Sequence, residues 1–153
     1  MTIKLAGSTS NRILAVAQTA SQSLQNISPK IVPLDLDLDV PENLNSIKST
    51  IGDGKIRSLV YLAQNNNCSV GFENATFGEF ESLMKSNCGV PFFLLRELGP
   101  LFATGAKIVF AYSQFGAEYL MPIPMYTLSR AAYLMGIKIL KCELKNVHIS
   151  VVE

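Results

Sequence analysis

The chain has 153 residues, 48% of them hydrophobic and 16% charged, with a net charge of +1. That is enough apolar material for one buried core, too little charge for a disordered chain, and no electrostatic footprint for nucleic acid or an acidic membrane. No apolar run is long enough to span a bilayer, the N-terminus MTIKLAGSTS lacks a signal-peptide core, and the single His and three widely spaced cysteines (Cys68, Cys88, Cys142) match no metal or disulfide pattern. The expectation is a cytoplasmic single-domain protein with reduced thiols and no metal.

Apolar runs alternate with helix-like stretches, the pattern of a parallel α/β sheet. Ile3–Ala6 reads as a first strand ending at Gly7. Ile13, Leu14, Ala17 and Leu24 then give roughly helical spacing over about 11–24. Residues 30–36 are a second strand, with Pro33 pointing to an edge or a bulge. Asp35, Asp37 and Asp39 alternate with leucines, which places them on one solvated strand face. Pro41 precedes a short helix, Asn43–Ile51, closed by Gly52-Asp-Gly54. Residues 56–63 are a third strand, running into the polar Gln64-Asn-Asn-Asn67. A long helix over about 76–102 carries an apolar stripe and a kink at Pro91. Residues 107–112 are a fourth strand, 126–144 a helix, and 147–152 a fifth strand.

Two stretches carry chemistry. The fourth strand delivers Ser113 at its carboxyl end, where open parallel sheets bind ligands. On the helix that follows, Tyr126 and Arg130 are four apart and share a face. A tyrosine hydroxyl is a poor base near neutrality, and a fixed cation beside it favours the phenolate. With a serine to hold a substrate oxygen, the three suffice for proton transfer to or from a carbonyl/alcohol pair, provided another group carries the hydride.

Ser113 followed by Tyr126-x-x-Ser-Arg130-Ala-Ala resembles the active-site signature of the short-chain dehydrogenase/reductase family, whose usual form is Tyr-x-x-x-Lys with a serine upstream. Asn87, in Met84-Lys-Ser-Asn-Cys-Gly-Val-Pro91, matches the family's helix asparagine, which supports a proton-relay water. Residues 56–63 resemble the strand leading to the family's Asn-Asn-Ala-Gly motif. Leu36-Asp-Leu-Asp39 resembles the segment whose acidic residue lies near the adenine. The likeness runs from about residue 30 to the end.

Three departures stand beside it. Lys becomes Arg130, whose planar fork does not present a compact ammonium to both ribose and phenol. Asn-Asn-Ala-Gly becomes Tyr61-Leu62-Ala63-Gln64. The Gly-rich turn becomes Gly7-Ser8-Thr9-Ser10, with one glycine and with Ser10 as a natural helix cap.

The resemblance implies a Rossmann-like three-layer α/β sandwich over residues 1–153, with helices on both faces of about five parallel strands in the order 2-1-3-4-5. Residues 3–6 are taken as the central strand, and one N-terminal βα unit and the C-terminal substrate segments of the family are lacking. It further implies an NAD(P)-dependent oxidoreductase. In it Tyr126 is the acid/base, Ser113 the substrate-oxygen anchor, Arg130 the electrostatic partner of Tyr126 and Asn87 the relay support. Gly7, Ser8, Thr9, Ser10, Asp37 and Ala63 would contact the cofactor. Asp37 or Asp39 disfavours a 2′-phosphate, which favours NAD over NADP.

The partners implied are the nucleotide, a small carbonyl or alcohol, and a second copy through the helices at 76–102 and 126–144, with Tyr133, Met135 and Phe92/Phe93 suited to that surface. The alternative is a pseudo-dehydrogenase without cofactor, acting as an interaction or regulatory subunit. A third reading is a flavodoxin-like FMN binder, since Ala6-Gly-Ser-Thr-Ser-Asn11 resembles that family's phosphate loop, although no Trp is present to stack on a flavin.

Overall fold

The computed structural model describes residues 13–18, 29–112 and 123–152. Contacts divide the chain into two compact units, Met1–Thr50 and Ile51–Glu153. The strand expected at Ile3–Ala6 and the loop Gly7–Ser10 lie outside the described residues.

In the first unit, β1 (Ile13–Ala17) pairs in parallel with β2 (Ile31–Asp35). This corrects the helix expected over 11–24. A short apolar run is ambiguous between the two periods. Here alternation wins, because Ala15 and Ile31 are buried against each other with Ile13 beside them. Pro33 sits opposite Ala15, and β1 is the one partner of β2 among the described residues.

The strand also stops earlier than the leucine–aspartate alternation suggests. After Asp35 the chain turns, with Asp37 Oδ1 accepting from the Asp39 amide at 2.9 Å and Asp37 O accepting from Asn43 Nδ2 at 2.7 Å. Aspartate competes well for local backbone amides, and the turn takes Asp37 and Asp39 off a strand face. Helix α1 (Asn43–Ile51) follows as expected, burying Leu44 and Ile47.

The second unit holds the parallel sheet β3 (Ile56–Tyr61), β4 (Phe102–Ala111) and β5 (Val147–Val152), in that order. The register slips between Ile56 and Ser58, and Gly105 in the adjoining part of β4 has φ +76°, a conformation that favours glycine. Ile108 and Phe110 are fully buried on one face, while Lys107 on the other is exposed.

The long helix expected over 76–102 is three pieces. Helix α2 (Phe77–Met84) starts on a capping box, in which Thr76 Oγ1 accepts from the Glu79 amide and the Glu79 carboxylate accepts from the Thr76 amide. A π turn, Lys85–Gly89, leads into α3 (Val90–Leu98), and a 3₁₀ turn, Gly99–Leu101, ends the run. Pro91 cannot donate a backbone hydrogen bond, and the helix widens just before it, the Val90 amide reaching back five residues to Lys85 O. Helix α4 (Pro124–Glu143) opens on another proline, where no amide hydrogen is needed.

The core of this unit sets Phe110 between Tyr61, tilted at 59° with ring centroids 6.0 Å apart, and Tyr133, edge-to-face with centroids 5.8 Å apart. Leu83, Leu95 and Leu98 close it from α2 and α3. Tyr133 is therefore core, 2% exposed, and does not join the surface on which it was expected. Phe92 is half-buried, and it lines a small cleft with Cys88, Pro91 and Tyr133. Phe93 and Met135 do stand exposed. The described cysteines are free thiols.

Candidate active site

The π turn aims Asn87 inward, 1% exposed, and gives its amide a full set of partners. Oδ1 accepts from the Asn65 amide at 2.7 Å, and Nδ2 donates to Asn65 O at 2.8 Å and to Ser129 Oγ at 3.0 Å. The side chain thus pairs with the backbone of Asn65 as a neighbouring strand would. Ser129 in turn donates to Tyr126 O at 2.7 Å. One knot ties the loop after β3, the π turn and the first turns of α4. The one extra residue per turn in this π segment re-aims the helix face there, and lets an asparagine in a mostly apolar helix reach that loop.

Tyr126, 6% exposed, donates its hydroxyl to Gln64 Oε1 at 3.2 Å. Cys68 lies close by: burial pushes its thiol up, the Glu79 carboxylate adds to that, and the Tyr126 backbone amide opposes it. Glu79 accepts from the Ser69 amide in a short hydrogen bond, and the Ser69 and Thr76 donors hold its carboxyl below the usual range.

Arg130 goes elsewhere. Its guanidinium carbon lies 4.3 Å from the Tyr133 ring centroid and 5.1 Å from that of Tyr112, and Nη2 donates to Ala111 O at 3.4 Å. Nε is buried without a hydrogen-bond partner. Tyr133 Oη donates to the same Ala111 carbonyl at 3.2 Å. Burial pushes the Tyr133 phenol up to about 12, against the pull of the Arg130 charge. Sharing a helix face brings Tyr126 and Arg130 near each other in sequence geometry, yet among the described contacts the Tyr126 hydroxyl meets Gln64 and the guanidinium meets two other aromatic rings.

The fold therefore gathers Asn87, Tyr126 and Ser129, and sets Arg130 in an adjoining aromatic cage at the carboxyl end of β4. Ser113 and Gly7–Ser10 lie outside the described residues. Asp37 is half-buried in the first unit with its carboxylate engaged by the Asp39 amide, and Ala63 is exposed after β3. Sequence reasoning did not single out Gln64 and Asn65. Their signal was a polar run at the carboxyl end of a buried strand, where parallel sheets place ligands. Among the described residues there is no group of three metal-ligating side chains, and no helix is long and apolar enough to cross a membrane.

Among the described residues, Arg130 is not placed as the resemblance implies for a cation that serves a nicotinamide cofactor. The one cation expected to face ribose and phenol together is enclosed by Tyr112 and Tyr133.

The chain resembles known oxidoreductases in its fold. It matches a carbonyl reductase from Pseudomonas aeruginosa with TM-score 0.83 and 19% identity, covering 98% of this chain and 72% of that one. It matches a short-chain dehydrogenase from Streptomyces avermitilis with TM-score 0.84 and 20% identity, covering 99% and 58%. An NADPH-bound carbonyl reductase from chicken fatty liver gives TM-score 0.84 and 17% identity over 98% and 71%. The chain thus spans between 58% and 72% of the lengths of these three. No curated protein matches it. The fold class expected from the sequence, Rossmann-like α/β, is that of these structures, with its strands seen here as the parallel runs β1–β2 and β3–β4–β5. The family model for short chain dehydrogenases matches residues 4–153, and the chain belongs to that family.

Proposed function

We propose that this chain is a catalytically silent short-chain dehydrogenase, one that keeps the family's scaffold and its buried tyrosine as a binding and association module. The observation that carries the reading is the placing of the Arg130 guanidinium against the Tyr112 and Tyr133 rings and Ala111 O. A phenol serves as base when a neighbouring cation favours its ionised form. Here the guanidinium is spent on the Tyr112 and Tyr133 rings and on Ala111 O, while the Tyr126 hydroxyl donates to Gln64. The scaffold around Tyr126 is meanwhile intact, because the Asn87–Asn65–Ser129 knot fixes the helix turn that bears it.

Association follows from α4. Leu128, Met135 and Ile139 lie seven and four residues apart along it and are 48%, 55% and 45% exposed, one apolar stripe on the helix. With Phe93 on α3 it forms the surface for a second copy. The unpaired thiols accord with a cytoplasmic setting.

The test is calorimetric titration with NADH and NADPH, with a screen of small aldehydes and ketones for carbonyl-dependent oxidation of either nucleotide. No saturable binding at millimolar nucleotide and no turnover are expected. Saturable binding with turnover overturns the reading. Sedimentation of the same preparation reads the dimer.

A second reading keeps the activity. The gathering of Asn87, Tyr126 and Ser129 favours an oxidoreductase on a carbonyl/alcohol pair, with Tyr126 as acid/base, Ser113 as anchor and NAD preferred over NADP. It requires Arg130 to leave its cage, and Arg130→Lys is the variant that would then gain activity.

A further inference from the structure

The two partners of the Tyr126–Gln64 hydrogen bond are held very differently. The Tyr126 ring is 6% exposed, and its backbone carbonyl is tied through Ser129 to Asn87. On the other side the main chain is pinned one residue beyond Gln64. The Asn65 amide and carbonyl are both engaged by Asn87, and its Oδ1 accepts from the Asn67 amide at 2.9 Å. The Gln64 side chain itself is exposed, with three torsions, and the contact described for it is Oε1 on the Tyr126 hydroxyl at 3.2 Å. A fixed donor therefore meets a movable acceptor on a fixed backbone. That acceptor is a carboxamide oxygen, chemically a carbonyl. It stands at the position where the family's motif has a glycine, which brings no side chain to the phenol.

We propose that Gln64 is a built-in competitor for the Tyr126 hydroxyl, so that a neutral ligand with a carbonyl oxygen reaches this donor only by displacing Gln64 Oε1. The proposal rests on the reading of Tyr126 as a hydrogen-bond donor. Displacement exchanges one neutral hydrogen bond for another, so Gln64 raises the affinity threshold without closing the site. A carboxylate at position 64 would accept more strongly and compete harder.

The probe is N,N-dimethylacetamide, which accepts hydrogen bonds and donates none, titrated into the full chain carrying ¹³C-labelled tyrosine and followed at the Tyr126 ring signal. In Tyr126→Phe the ring at position 126 is followed with ¹³C-phenylalanine. Gln64→Ala is expected to bind it about 3- to 10-fold more tightly than the unmodified chain. Gln64→Glu is expected to bind it more weakly than the unmodified chain. Tyr126→Phe, alone or with Gln64→Ala, should lose the binding.

Equal affinity in the Gln64→Ala and unmodified chains, with binding still lost in Tyr126→Phe, overturns the competitor and leaves the donor reading standing. Undiminished binding in Tyr126→Phe overturns the donor reading itself. Absence of binding to both the unmodified and the Gln64→Ala chains overturns both. Since Gln64 is exposed, circular dichroism of its variants checks that the fold is unchanged.

Discussion

Ser129 and Arg130 are consecutive residues of α4, both buried to 1% exposure or less, yet the protein accommodates them by opposite means. Ser129 joins a knot in which each polar group meets a partner of the right kind, with distances from 2.7 to 3.0 Å through Asn87, Asn65 and Tyr126 O. Arg130 carries a full charge, and its described contacts are two aromatic faces and one long hydrogen bond to a strand carbonyl. Geometry satisfies the first. The negative faces of Tyr112 and Tyr133 offset the second. A buried polar knot fixes one arrangement of the chain, whereas a caged cation is the kind of group that hydrophobic substitution tolerates.

That contrast is breakable, beginning where the effect is largest. Asn87→Leu leaves the partly buried Asn65 amide and carbonyl and the buried Ser129 hydroxyl oxygen without their Asn87 partner. It should cost about 3 kcal/mol of unfolding free energy in urea titrations. A loss under about 1 kcal/mol would mean that the knot relaxes freely to water.

Arg130 sharpens the comparison through a pair of variants. Arg130→Ala opens a cavity between two rings and should cost about 2 kcal/mol, whereas Arg130→Met fills the space without a charge and should stay within about 1 kcal/mol of the parent. If Arg130→Met costs as much as Asn87→Leu, the cage is as specific as the knot and the distinction fails.

The smallest effect is a pH dependence. The Tyr133 phenol is pushed up to about 12 in the folded chain, against about 10 for an unperturbed tyrosine. The folded state therefore holds this proton more tightly. Its contribution to stability is complete below about pH 10 and is lost as the pH rises from there to about 12. Tyr133→Phe should flatten that part of the stability–pH curve. An unchanged slope would place Tyr133 outside the low-dielectric cage that Arg130 shares.

The sequence was most informative where periodicity and chemistry pointed the same way. Ile56–Tyr61 and Val147–Val152 lie where the β-branched and apolar runs place strands, and Asn43–Ile51 lies where Pro41 and the Gly52-Asp-Gly54 turn bound a helix. Asn87, Tyr126 and Arg130 were visible as residue types at family-like spacing. Residues 13–17 misled because a five-residue apolar run is too short to choose its own period, and pairing with Ile31–Asp35 chose for it.

By itself, then, the sequence determined the α/β class, the family, and the identity of the polar groups that enter the second unit. The tertiary structure decided which of those groups meet. An arginine side chain four residues from a tyrosine can reach the phenol or turn to Tyr133, three residues on, and the choice depends on where β4 ends and which rings it brings. The partners of Gln64 and Asn65 were likewise fixed by packing across 62 and 22 residues of chain. Long-range contacts of that kind leave no periodic trace in the sequence, since each depends on two elements docking rather than on the pattern within either one.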